Sequence, residues 1–206
     1  MNLTRWIKEL VEFIVMLGVM LLVVLALRHF VAEPFIVEGH SMDYTLADKE
    51  HLYLWKLAKI ERFDVVIIPA PDGSKDDKGN VKRYIKRVIG MPGDSIEYKN
   101  GTLYLNGVAT EEPYLEQKVT EYGTARPGQP FTKDFTLEAV AGAKTVPEGK
   151  VFVMGDNRQN SLDGRSFGFV DLSSVQGEAD VVFWPLNQIS LLDKYKLNEA
   201  GQIVKR

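Results

Sequence analysis

Few residue types in this 206-residue chain can carry nucleophilic or metal chemistry. There is no Cys, so disulfides, thiolate zinc sites, iron–sulfur clusters and cysteine nucleophiles are excluded together. Only His29, His40 and His51 are present, without an H-E-x-x-H pair, so a histidine-built metal site is poorly supplied. Hydroxyl nucleophiles come next. Gly39-His40-Ser41-Met42 follows an apolar run, and a Ser beyond a short glycine turn can present its hydroxyl to nearby backbone N–H groups. His40 is a poor base for it, because adjacent side chains on an extended chain point apart. His51 has no local pattern that ties it to Ser41, although a Ser-His-Asp arrangement stays open. The same Gly-x-Ser spelling also suits an ordinary turn, and Asp43 breaks G-x-S-x-G.

A second base is Lys86, in VKRYIKRVIGMPGD (81–94). Strand alternation puts Lys82, Tyr84, Lys86 and Val88 on one face and Arg83, Ile85, Arg87 and Ile89 on the other. A solvated basic face is the common reading of such a run. A lysine acts as a base only when neutral. An ordinary pKa of ~10.4 leaves roughly one molecule in 2,500 neutral at pH 7, whereas burial can lower it by up to ~3–5 units. A Ser-Lys pair therefore requires Lys86 to be buried beside Ser41. The third cluster, MGDNRQNSLDGRSFGFV (154–170), holds Asp156, Asn157, Arg158, Ser161, Asp163 and Arg165. It fails the EF-hand spacing and suits either a polar surface loop or a buried scaffold of Asp–Arg pairs.

These residues need elements to position them. Leu10 to Leu27 is an 18-residue apolar run with one charge, Glu12. As a helix it spans ~27 Å, near the ~30 Å hydrocarbon core of a bilayer. Arg5, Lys8 and Trp6 precede it and Arg28 follows, which by the positive-inside rule leans toward a cytoplasmic N-terminus. Phe30 spoils the nearby small-residue exit, so an uncleaved anchor is expected rather than a secretory signal. The remainder reads as β: strands at 34–39, 51–56, 63–70, 81–89, 94–98, 102–105, 151–154 and 179–184. Asn100-Gly101 and Asn106-Gly107 mark hairpins, and Pro92-Gly93 marks a type II turn. Residues 109–147 look polar and irregular. The expected organisation is a cytoplasmic stretch at 1–9, an anchor at 10–27, and an extracytoplasmic domain at 28–206 with a cap inserted at about 95–147. The fold class is mainly β: an antiparallel sheet domain after one transmembrane helix. Composition is ordinary for a globular chain (45% hydrophobic, 26% charged), and the net charge of -3 does not suggest nucleic-acid binding.

Taken together, the anchor, EPFIVEGHSM, RYIKRVIGMPGD and GDNRQNSLDGRSFG resemble a bacterial type I signal peptidase of the Gram-positive kind. The resemblance runs from the anchor through FWP (183–185). It implies a membrane-anchored serine endopeptidase that removes signal peptides from exported preproteins after A-x-A, with the lipid bilayer and the preprotein as partners and no cofactor or metal. It implies Ser41 as nucleophile, with its backbone N–H as an oxyanion donor, and Lys86 as general base. Ser161 would hydrogen-bond the Lys86 ammonium, while Asp163, Arg165, Asp156 and Arg87 would support the site through ion pairs. Val37, Met42, Leu46, Tyr84 and Ile85 would line shallow pockets fitted to small side chains. Two departures stand out. Gly39 replaces the hydroxyl donor of some members, and Tyr44 occupies the proline of the family's S-M-x-P-T-L. Tyr44 is the best support for the alternative expectation, a weakly active or non-catalytic anchored domain that binds exported chains.

Overall fold

The computed structural model describes residues 3–206. Helix α1 (Leu3–Phe30) opens the chain. It is longer than the apolar run that nucleates it, because Arg5 and Glu9 pair one turn apart, which supports the first turns. At ~1.5 Å per residue it is ample for a ~30 Å hydrocarbon core, and none of its apolar window is buried against the domain. By length and composition this helix fits a single membrane span.

The rest is antiparallel β, as the alternating runs predict. One sheet contains β1 (Ala32–Ile36), β2 (His51–Trp55), β3 (Val65–Pro69) and β4 (Arg83–Gly90). A smaller sheet contains β5 (Ile96–Lys99), β6 (Thr102–Leu105), β7 (Val108–Thr110) and β8 (Phe135–Thr136). Strands β9 (Lys150–Met154), β10 (Val170–Asp171), β11 (Gly177–Trp184) and β12 (Ser190–Leu191) return to the first sheet. A hairpin of β13 (Tyr195–Leu197) and β14 (Ile203–Lys205) ends the chain. The large sheet runs β1-β2-β11-β3-β4-β9-β10, with β12 on β11.

Turn chemistry agrees with the sequence. Asn100-Gly101 and Asn106-Gly107 both have positive φ at both positions, which type I′ hairpins require, and Gly93 at φ 88 completes the turn after Pro92. Strand β1 begins earlier than 34–39 and stops at Ile36, since Gly39 (φ 85) turns the chain toward Ser41. The stretch 109–147 is not irregular: it contains α2 (Glu116–Ala125) and α3 (Leu137–Ala141) as well as β8. Helix α2 buries none of its residues, so it lacks the apolar stripe that helical periodicity relies on.

Three apolar clusters form the core. One, of Phe35, Val37, Met42, Leu46, Leu52, Leu54, Val65, Ile67 and Ile85, lies directly under the chain that carries Ser41. A second joins the two sheets through Phe63, Ile89, Ile96, Tyr98 and Phe152. Gly90 belongs there because a Cβ would come within 3.0 Å of Val146 and nearer still to the Ile96 side chain.

Candidate active site

Strand β4 supplies two basic side chains from adjacent positions, and the sheet buries both. Its first half pairs only with β3, through Arg83↔Pro69 to Arg87↔Val65, while β9 joins from Arg87 onward. Lys86 is 3% exposed and Arg87 1%. The solvated face that a basic run usually signifies is therefore confined to Lys82 and Arg83.

Lys86 Nζ lies 2.7 Å from Ser41 Oγ and 2.9 Å from the Ile85 carbonyl oxygen. It forms no salt bridge among the described residues. Burial lowers its pKa to about 8, although Asp163 and Asp156 act at longer range in the opposite sense. The neutral amine is therefore a substantial fraction near neutrality, roughly one in ten at pH 7.

Ser41 is set by a bonded turn. Thr45 N and Leu46 N both donate to the Met42 carbonyl, Asp43 N to that of His40, and Asn157 N to the Ser41 carbonyl at 3.0 Å. Asn157 Nδ2 donates to the His40 carbonyl at 2.9 Å. The 155–163 loop thus grips the Ser41 turn from one side. Its approach requires Gly155, where a Cβ would strike both Ser161 Oγ and the Ser41 carbonyl oxygen.

The four scaffold residues implied by the resemblance form two pairs. Arg87 binds Asp156 through Nε (2.9 Å) and a terminal nitrogen (2.6 Å), with both partners 1% exposed, and also donates to the Phe63 carbonyl. Its guanidinium lies 4.1 Å from the Tyr114 ring centroid. Arg165 binds Asp163 at 2.8 and 2.9 Å, and Gly155 N donates to the same carboxylate. Burial opposes ionisation of Asp163, but these donors prevail and hold its pKa below the ordinary value.

Ser161 departs from expectation. Its Oγ is buried without a hydrogen-bond partner, so no bond to Lys86 is formed. The hydroxyl lies near enough to Asp163 to favour the carboxylate, yet no bond of sound geometry results.

The pocket residues also divide. Tyr84 and Ile85 line a cleft of about 250 Å³ together with Ser41, Lys86, Phe35 and Leu162. Val37, Met42 and Leu46, each 1% exposed, sit beneath it in the core instead. Val37, just past the end of β1, joins the cluster that Phe35 also packs against, and the turn after Ser41 folds Met42 and Leu46 over the same cluster. His51 lies elsewhere, with its ring edge-on to Phe183 on β11 and its backbone paired to Ile36.

A further network escaped the sequence reading. Arg158, buried, binds Glu112 at 2.5 Å, Tyr98 Oη and the Gly155 carbonyl. It ties the smaller sheet to the loop beside Ser41. The only signal was an arginine in a polar cluster, with no hint of its distant partner.

The chain matches the family model described as signal peptidase, peptidase S26, over residues 10–184. It belongs to that family. Signal peptidase I of Bacillus licheniformis is 41% identical over 197 residues, covering 93% of this chain and 94% of the relative. Signal peptidase IB of Staphylococcus aureus (strain MRSA252) is 35% identical, covering 93% and 96%. A crystal structure of a signal peptidase I from Enterococcus faecalis V583 aligns with a TM-score of 0.51 at 42% identity, covering 59% of this chain and 97% of that one. Signal peptidase membership makes the protein a serine endopeptidase of the type that removes signal peptides, and α1 fits a single-pass membrane anchor.

Proposed function

We propose that the protein cleaves exported preproteins at the membrane surface with Ser41 as nucleophile and Lys86 as general base. The observation that carries this reading is the 2.7 Å contact between Lys86 Nζ and Ser41 Oγ, made by a buried lysine without an ion-pair partner. Neutral Lys86 takes the Ser41 proton as Oγ attacks the scissile carbonyl. The resulting ammonium then protonates the leaving amine of the mature chain. Hydrolysis of the acyl-enzyme repeats the cycle, with water in place of the hydroxyl and Lys86 again as base. The Ser41 N–H faces the developing oxyanion.

The non-primed part of the substrate adds as a strand between β1 and the first half of β4. Among the described residues, the outer edge of β1 and that of residues 83–86 have no strand partner, which suits main-chain recognition. Phe35, Tyr84 and Ile85 narrow the cleft, so alanine enters where larger side chains collide. Asp163, Arg165, Asp156 and Arg87 support the site; Ser161 is an orienting partner for the ammonium once its hydroxyl rotates. The domain from 28 onward lies on the extracytoplasmic side, with residues 1–9 cytoplasmic, 10–27 in the bilayer, and the segment at about 95–147 as a cap. Lys56 ties the anchor to the sheet: its Nζ donates to the His29 carbonyl at 3.0 Å and pairs with Glu33 at 2.6 Å.

Ser41→Ala in the full-length, detergent-solubilised chain is the test. A preprotein with an A-x-A site is expected to stay uncut while the variant melts like the parent. Cleavage at the parent rate would overturn the assignment.

A further inference from the structure

Residue 44 follows the nucleophile by three positions and adopts φ +77, a left-handed conformation that non-glycine residues rarely take. Proline, fixed near -65°, cannot adopt it. The turn of this chain is therefore not the one that a proline at this position would build. For an L-residue the left-handed region carries a bias of roughly 5- to 30-fold against it, so something must hold Tyr44 there. Core packing does not, since Tyr44 is 57% exposed.

What touches Tyr44 is helix α2. The Lys118 ammonium lies 4.0 Å from the Tyr44 ring centroid. One turn along, Glu121 sits beside the phenol and raises its pKa above the ordinary tyrosine value. An exposed cation–π pair supplies about a 2- to 5-fold bias, too little alone. On the other side of Tyr44, Thr45 Oγ1 donates to Asp156 Oδ2 at 2.5 Å, so the turn is gripped at two successive residues. Helix α2 has no buried residue of its own, yet it reaches across to this turn. The same turn carries Ser41 at its other end, with Met42 O accepting from Thr45 N and Leu46 N.

We infer that Tyr44 is a positioning residue, clamped by Lys118 and Glu121 of α2, which holds the nucleophile turn so that Ser41 Oγ stays within reach of Lys86. The inference rests on Ser41 as nucleophile. It adds that a surface helix, distant in sequence and without a buried residue of its own, sets the aim of that nucleophile. Because the clamp orients a reacting atom without lining the 250 Å³ cleft, its loss acts on turnover and not on substrate capture.

The test is steady-state kinetics of full-length protein in detergent on a peptide with an A-x-A site. Tyr44→Ala should lower kcat by about tenfold with KM within about twofold, and Tyr44→Pro should lower it further. Tyr44→Phe, which keeps the ring under Lys118 but loses the hydroxyl beside Glu121, should recover only part of the rate. Lys118→Met, on a helix with no buried residue, should cost about 2- to 5-fold in kcat while the variant melts like the parent. Combined with Tyr44→Ala it should cost nothing more, since both remove one contact. Parent-like kcat in Lys118→Met, a Pro variant as active as the parent, or additive losses would each overturn the clamp. Ser41→Ala run alongside separates the two readings: if it cleaves, the nucleophile assignment fails, and if it is inert while the clamp variants turn over normally, only the clamp fails.

Discussion

Lys86 and Arg87 are neighbours on β4, almost equally buried, and they meet opposite electrostatic fates. Arg87 turns to the side where Asp156 grips it with two bonds, the Phe63 carbonyl takes a third and Tyr114 covers its face. Burial disfavours its charge, but Asp156 more than compensates and raises its pKa. Lys86 turns to the cleft, where its polar neighbours are a hydroxyl and a carbonyl. There burial prevails and lowers its pKa to about 8. Burial alone thus does not decide a charge state; an in-contact carboxylate does. One face of the strand builds a permanent cation that braces the fold, and the other a cation ready to lose its proton.

Removing each residue should expose that contrast. Lys86→Met and Lys86→Arg should both lower kcat/KM by at least about 1,000-fold; the arginine keeps the charge but cannot act as base, so activity in Lys86→Arg would break the comparison. Stability should move the other way. The folded pKa of Lys86 lies below its unfolded value, so the native state bears the cost of a buried ammonium in full below pH 8. That cost disappears as pH rises toward 10.5. A shift of this size corresponds to roughly 3 kcal/mol, so Lys86→Met should raise the denaturation midpoint at pH 7, and less at pH 10. A lower midpoint at pH 7 would contradict this.

On the Arg87 side the sign reverses. Asp156→Asn leaves a buried guanidinium without its carboxylate and should destabilise by roughly 3–5 kcal/mol in chemical denaturation. Replacing both partners by apolar residues should recover part of that loss. A destabilisation below 1 kcal/mol would mean that the pair braces nothing.

The smallest expected effect sharpens the Lys86 side. Asp163 raises the Lys86 pKa from a distance. Asp163→Asn removes that charge while keeping an acceptor for Gly155 N, so the acid limb of the pH–rate profile should move to lower pH. An upward movement would contradict it.

The sequence exposes one half of this contrast better than the other. Alternation along 81–89 and the Gly-containing turns made the strands and hairpins readable, and the order of three motifs pointed to the dyad. What it could not convey was which polar residues are paired through space. Arg87 and Asp156 are 69 positions apart, and Arg158 and Glu112 are 46 apart. Helix α2 was missed because it has no apolar stripe, and the β13–β14 hairpin because its strands are three residues each. Val37, Met42 and Leu46 resemble pocket residues until the turn after Ser41 shows them facing the core.

The central claim is that burial without a carboxylate partner makes Lys86 a base near neutral pH. NMR titration of full-length protein in detergent, with 13C-labelled lysine and Lys86→Met to assign the signal, measures it directly. The account predicts a midpoint for Lys86 near 8, matched by the acid limb of kcat/KM. A midpoint of about 10 or above, with cleavage still rising between pH 7 and 9, would contradict it.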